Sequence, residues 1–314
     1  MGVLIDGEWR SETSWAERAT GEFVRKTSSF REQITADGRS GWPAARGRYH
    51  LYVARSCPWC HRTMIFRALK QLQGVVSMSS VEPEMLEDGW TFREPDPLTG
   101  ARRVYELYLR ANARYTGRAT VPVLWDKQRG TIVNNESSDI LRMLNAQFNA
   151  FTPDRTDYYP AELAAQIDAL NARIYETVNN GVYRAGFATR QEPYESAVRT
   201  LFATLADLES LLGTRRYLLG GRLTEADWRL FPTLVRFDAV YYGHFKCNLR
   251  HVYEHPNLWA YTRELYQMPE IAATVDIDAY KAHYYGSHRN INPTGIVPLG
   301  PLLDLGVPHG RGHL

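Results

Sequence analysis

The feature that most constrains this chain is a change of period between His50 and Val81. His50-Leu51-Tyr52-Val53-Ala54 is a short apolar run of β-favouring residues and reads as a strand. Pro58 follows, at the position where a helix tolerates proline best. Met64, Ile65, Ala68, Leu69 and Leu72 then recur at helical spacing, Gly74 reads as the end of that helix, and Val75 to Val81 reads as a second strand. Strand, helix, strand in so short a stretch implies parallel pairing through a crossover.

What surrounds this unit sets the domain plan. Residues 1–45 are polar and rich in Ser, Thr, Arg and Gly, and are expected to form an irregular extension on the surface. Residues 83–117 are mostly polar and hold Gly89-Trp90-Thr91-Phe92, a connection long enough to suggest a functional insertion. Val121 to Asp126 and Gly130 to Val133 read as a hairpin, and Glu136-Ser137-Ser138-Asp139 opens an amphipathic helix through Ile140, Leu141 and Leu144. From about residue 158 the pattern is helical throughout. Leu163, Ile167, Leu170, Ile174 and Val178 form one stripe, and Val198, Leu201, Phe202, Leu205, Leu208 and Leu212 a second. Thr224-Glu225-Ala226-Asp227 is a capping box. Asn292 to Pro298 is rich in proline and glycine and reads as an extended tail.

The expected fold is therefore α/β plus all-α, a thioredoxin-like N-terminal domain followed by an all-helical domain. The boundaries are 1–45 for the extension, 46–150 for the thioredoxin-like domain, 151–290 for the helical domain and 291–314 for the tail. A chain of 314 residues exceeds what one core usually organises, which agrees with two domains.

Composition excludes several function classes. A formal net charge of +2 gives no reason to expect nucleic acid as a partner. No apolar run approaches membrane-spanning length, and Met1 to Arg10 carries Asp6 and Glu8 in place of a secretory core, so the expected compartment is the cytoplasm. Three cysteines, Cys57, Cys60 and Cys247, do not make a disulfide scaffold.

Cys57-Pro58-Trp59-Cys60-His61 has four readings. A c-type haem attachment site belongs to exported proteins. A structural zinc site needs about four ligands, and Cys247 is the single further cysteine, so no metal is expected. Small buried core thiols describe Cys60 and Cys247 well. The fourth reading is a nucleophile, and it fits Cys57. This cysteine follows a strand and precedes a proline-started helix, whose N-terminal amides favour thiolate over thiol. Thr120-Val121-Pro122 stands where thioredoxin-like folds place a cis proline opposite the active cysteine, with the residue before it offering its backbone to a bound peptide. The helix start at Glu136-Ser137 suits a carboxylate through its amides and hydroxyl, and an ammonium group through Glu136. Glutathione carries both at its γ-glutamyl end.

Several segments together resemble the glutathionyl-hydroquinone reductases, the xi class of glutathione transferases. They are Ser56-Cys57-Pro58-Trp59-Cys60-His61, Gly89-Trp90-Thr91-Phe92, Gly117 to Asp126, Asn135-Glu136-Ser137-Ser138, Arg236 to Tyr241, Gly243 to Asn248 and Asn292 to Pro298, in order from about residue 40 to 300. The resemblance implies a glutathione-transferase fold, a homodimer, glutathione as co-substrate with no tightly bound cofactor, and aromatic glutathionyl conjugates as substrates. It implies Cys57 as nucleophile, with Trp90, Arg118, Ala119, Thr120, Val121, Glu136 and Ser137 holding glutathione. It also implies a pocket of tyrosines from the helical half. Tyr183 is the expected proton donor to the leaving hydroquinone, Tyr241 and Tyr284 are expected to lower the thiol pKa, and His244 to line the pocket. A conjugating transferase would normally use Ser or Tyr at the position of Cys57. A non-enzymatic binding module of the same fold would not need that thiol. One residue departs from the family, whose motif usually reads Cys-Pro-Trp-Ala. Cys60 stands in the alanine position and opens a glutaredoxin-like dithiol route for regenerating Cys57.

Overall fold

The structure, a computed structural model, describes residues 2–11, 20–25 and 27–314. The chain divides into two compact units, Met1–Thr13 with Lys26–Thr156, and Ser14–Arg25 with Asp157–Leu314.

The first unit begins with a hairpin of β1 (Val3–Ile5) and β2 (Glu8–Arg10). This corrects the expectation of an irregular extension at residues 3–10 alone; the other described residues up to 45 carry no helix or strand, and residues 12–19 and 26 lie outside the described residues. Asp6 and Gly7 both take positive φ, 51° and 87°, which a two-residue hairpin turn requires and which Asp-Gly supplies. Leu4 is buried and exchanges backbone hydrogen bonds with Gly117. Further along, the chain runs beside the last strand of the main sheet, with Glu32 N–H on the Val133 carbonyl and Asn135 N–H on the Phe30 carbonyl.

β3 (Tyr49–Val53) is buried along its whole length, as a strand covered on both faces must be. α1 (Pro58–Leu69) follows it. The helix stops short of Gly74, because Gln71 adopts a left-handed φ of 48° that no helix can continue. Val75 and Val76 lie in the return, leaving β4 as Ser77–Ser80. The polar connection after it holds more structure than expected: a short hairpin of β5 (Met85–Leu86) and β6 (Gly89–Trp90), then α2 (Val104–Ala111). β7 (Val123–Asp126), β8 (Thr131–Asn134) and α3 (Ser137–Ala146) complete the unit.

The sheet order is β4-β3-β7-β8, with β3 parallel to β4 and antiparallel to β7, and β7 antiparallel to β8. α1 packs against α3. The register matters for function. Tyr52 pairs with Val123, so the segment leaving β3 and the segment entering β7 meet at one end of the sheet. Cys57 lies on the first and Val121 on the second.

The second unit is helical. α4 (Ala164–Ile174) runs into a π-helical turn at Tyr175–Asn179, followed by α5 (Gly181–Gly186) and α6 (Gln191–Leu212). α7 (Glu225–Arg236) starts at the expected capping box, where Asp227 accepts the Thr224 N–H at 2.8 Å, and runs into a second π-helical turn at Phe237–Tyr241. α8 (Pro256–Tyr266) and α9 (Ile277–Ser287) follow. Residues 288–314 carry no helix or strand, but Arg311 is buried near the end of the chain. It donates to Glu264 and to the Leu212, Arg215 and Arg216 carbonyls. Among the described residues no helix is long and apolar enough to cross a membrane.

Candidate active site

Cys57 is the N-cap of α1, with extended φ −76° and ψ 124°. Its N–H bonds the Ala54 carbonyl at 3.0 Å and its carbonyl accepts the His61 N–H at 3.0 Å, which starts the helical ladder. Pro58 at the first helical position has no N–H to lose. No acidic residue lies in this first turn, so no side-chain charge there offsets the positive end of the helix dipole beside the sulfur. That field favours the thiolate, the nucleophilic form of cysteine. Cys57 is 6% exposed, and its thiol donates weakly to the Val121 carbonyl at 3.7 Å. The Val121–Pro122 peptide is cis. Cys60, on the same turn, is fully buried, and its sulfur accepts the Ala54 N–H at 3.4 Å.

The segment leading to Val121 is held by a residue the sequence reading did not single out. Tyr108 of α2 is fully buried, and burial pushes its phenol well up. Its hydroxyl donates to the Thr120 carbonyl at 2.8 Å and accepts the Thr120 N–H at 3.1 Å and the Asn135 amide at 2.9 Å. Thr120 is thereby tied to the residue before Glu136. Glu136 caps α3, accepting the Ser138 N–H at 3.1 Å, and takes a further hydrogen bond from Ser28 at 2.9 Å. Asn134 fixes the turn from β8 by accepting the Glu136 N–H at 2.7 Å. Ser137 is buried at the first position of α3. Trp90 is buried on β6, while Arg118 and Ala119 are half-buried, and the Tyr115 hydroxyl donates to the Arg118 carbonyl at 3.3 Å. Buried Val104, Leu107 and Tyr108 recur at i, i+3 and i+4, a helical signal that would have revealed α2 and with it this anchor.

The second unit brings Tyr183, Tyr241, Tyr284 and His244 into one aromatic cluster. Tyr241 ends the second π-helical turn and Tyr183 lies just beyond the first, a kind of irregularity that recurs at functional sites. The phenols form a chain with Tyr284 in the middle: Tyr183 Oη to Tyr284 Oη is 2.5 Å, and Tyr241 Oη to Tyr284 Oη is 3.0 Å. Tyr241 and Tyr284 are fully buried, and burial holds both phenols far above their ordinary pKa, so they stay protonated. Tyr183 is half-buried. Phe245 meets its ring edge-on at 5.4 Å, in an approach that Gly186 permits, since a Cβ there would lie 2.1 Å from the Phe245 ring. Arg25, also not singled out, lies over the Tyr183 ring at 4.9 Å and donates to Asn180 at 3.0 Å. His244 is buried and hydrogen-bonds His288 at 3.1 Å between ring nitrogens. Burial pushes its pKa down to about 3, so it is a neutral packing and hydrogen-bonding group at neutral pH.

Known proteins resemble the chain over nearly its whole length. Residues 56–147 match the glutathione S-transferase N-terminal domain, and residues 183–264 match the glutathione S-transferase C-terminal domain. The glutathionyl-hydroquinone reductase YqjG of Escherichia coli is 51% identical over 99% of this chain and 98% of its own length. The glutathionyl-hydroquinone reductase PcpF of Sphingobium chlorophenolicum is 52% identical over 97% of this chain and 98% of its own. The glutathione-bound structure of YqjG superposes with a TM-score of 0.91 at 50% identity, covering 99% of both chains. A xi-class glutathione transferase from Natrialba magadii gives a TM-score of 0.94 at 46% identity, covering 100% of this chain and 97% of that one. Matched in this way from end to end, the chain belongs to the xi class of glutathione transferases, the glutathionyl-hydroquinone reductases.

Proposed function

We propose that the protein reduces glutathionyl-hydroquinones to free hydroquinones with glutathione as co-substrate, and that Cys57 takes up the glutathionyl sulfur. The observation that carries this reading is the Cys57 sulfur at the start of α1, 3.7 Å from the carbonyl of Val121. Glutathione lies with its peptide along Val121, its γ-glutamyl carboxylate at the N-terminus of α3 and the Ser137 hydroxyl, and its ammonium at Glu136. The Tyr108–Thr120–Asn135 network supports this by keeping the Val121 segment in register with α3. Trp90, Arg118 and Ala119 complete the binding surface.

The chemistry balances in two steps. The Cys57 thiolate attacks the sulfur of the conjugate, a sulfur–sulfur bond forms, and the bond from sulfur to the aromatic carbon breaks. The carbon keeps the electron pair and takes a proton, which Tyr183 supplies while Tyr284 and Tyr241 donate in sequence behind it. A glutathione thiolate then attacks the mixed disulfide, releasing glutathione disulfide and restoring the Cys57 thiolate. The working form is a homodimer in the cytoplasm, a compartment that keeps such a thiol reduced.

The test is release of hydroquinone from a glutathionyl-hydroquinone in the presence of glutathione, with Cys57→Ser as the control. Full turnover in Cys57→Ser would remove Cys57 from the mechanism.

A further inference from the structure

We infer that Cys60 is a resolving thiol: it attacks the Cys57–glutathione mixed disulfide from within the protein, expels glutathione and leaves a Cys57–Cys60 disulfide. The inference rests on the reading of Cys57 as the atom that takes up the glutathionyl sulfur, and adds to it a half-cycle that needs no second glutathione.

Three observations carry it. First, Cys57 is the N-cap and Cys60 the third residue of α1. In a capping box these are the two positions from which each side chain reaches the backbone of the other. Residues three apart on a helix have Cβ atoms about 5–6 Å apart, and a disulfide needs about 3.5–4.5 Å. The difference is small, and Cys57 is not held by helical dihedrals. Second, one residue aligns both cysteines. The Ala54 carbonyl accepts the Cys57 N–H at 3.0 Å, and the Ala54 N–H donates to the Cys60 sulfur at 3.4 Å. A donated hydrogen bond supports charge on that sulfur as it gives up its proton. Third, Cys60 is fully buried. Bulk oxidants and external thiols do not reach it, but a disulfide formed on Cys57, one helical turn away, is within its range. Such an attack gains the advantage of a reaction within one molecule. Cys247, the remaining thiol, lies in the other unit and is fully buried, with burial pushing its thiol far up, so it does not compete.

The step balances. The Cys60 thiol loses its proton, its sulfur bonds to the Cys57 sulfur, and the glutathione sulfur leaves with the electron pair and takes a proton. From the conjugate onward, two protein thiols are oxidised, and one hydroquinone and one glutathione are released. Two further glutathione molecules reopen the internal disulfide and leave as glutathione disulfide.

A single turnover without added glutathione tests this. Fully reduced, desalted protein receives one equivalent of a glutathionyl-hydroquinone under anaerobic conditions. Hydroquinone, free glutathione and intact protein mass are measured, with peptide mapping of the product. Wild type is expected to release about one hydroquinone and one glutathione per chain and to end two hydrogens lighter, with Cys57 linked to Cys60. Cys60→Ala and Cys60→Ser are expected to release hydroquinone but keep the glutathionyl group on Cys57. Wild-type protein that retains the glutathionyl group overturns the inference, whatever the variants do. Absence of hydroquinone from all three proteins overturns the proposed function and this inference together.

Discussion

The hydroxyl of Tyr108 grips Thr120 at both ends of its residue, donating to the carbonyl at 2.8 Å and accepting the N–H at 3.1 Å. With the Asn135 amide also donating to it at 2.9 Å, the phenol uses its one proton and both lone pairs. Tyr108→Phe keeps the ring and leaves these partners without the oxygen they meet. Stability should fall by about 1–3 kcal/mol, measured by denaturant unfolding. The Val121 segment loses its register with α3, so the KM for glutathione should rise more than kcat falls. An unchanged KM would show that the network supports the fold and not the ligand.

The phenol chain has an order that mutation can read. If Tyr183 gives up its proton, Tyr284 must donate to Tyr183 Oη at 2.5 Å, and Tyr241 to Tyr284 Oη at 3.0 Å. Tyr183→Phe should slow carbon–sulfur cleavage by about 10²–10⁴-fold, the usual worth of a general acid. Tyr284→Phe should slow it less, and Tyr241→Phe least. Single-turnover release of hydroquinone measures this step. Reduction of a preformed Cys57–glutathione disulfide should be unchanged in all three variants. An equal loss in that second step would assign the tyrosines to folding or binding.

How much was legible depended on the range of the signal. β3, α1 and the Thr224–Asp227 cap announce themselves through local spacing, and so did Cys57, because a strand, a cysteine and a proline-started helix are neighbours in sequence. The Asp6-Gly7 hairpin and α2 were equally local, but polar surroundings masked them. The end of α1 was misplaced because a left-handed Gln71, and not a glycine, turns the chain. The meeting of Tyr183, Tyr241 and Tyr284 is another matter. Their partners are 101 and 43 residues away, and π-helical turns, which apolar spacing does not announce, lead into it. Only the family resemblance pointed there. Tyr108 escaped with α2 itself, and Arg25 because its partner Asn180 lies 155 residues away in the chain.

Stability should depend on pH through His50. This residue is buried in the central strand, with Nδ1 2.8 Å from the Ser77 hydroxyl. Burial, reinforced by the Lys127 and Arg67 cations and opposed by Asp96, pushes its pKa down to about 4. The folded pKa lies below the unfolded value of about 6.5, so the unfolded state binds more protons between them. The contribution is complete above about pH 6.5 and is lost as pH falls towards 4, by roughly 3 kcal/mol over the window. Urea unfolding at intervals from pH 7.5 to 4.5 should show this slope, and His50→Gln should flatten it. A slope unchanged in His50→Gln would assign the acid sensitivity elsewhere, with His244 and His288, also depressed by burial, next in line.

Arg25 should tune Tyr183. Its guanidinium lies over the Tyr183 ring at 4.9 Å and is oriented by a 3.0 Å hydrogen bond to Asn180. A cation over a phenol ring favours the charge that develops when the phenol loses its proton, an effect of about 0.5–2 kcal/mol. Arg25→Ala should therefore slow carbon–sulfur cleavage roughly 2- to 30-fold. Arg25→Lys, which keeps the charge without the planar stack, should recover part of the rate. The alkaline limb of the pH profile for cleavage, on which the phenol loses its proton, should move to higher pH in Arg25→Ala, a readout that simple loosening of the chain would not produce. A double-mutant cycle isolates the route. If Arg25 acts through Tyr183, adding Arg25→Ala to Tyr183→Phe should cost nothing further. An undiminished loss in the double variant would mean that Arg25 works on the substrate or the fold and not on the phenol.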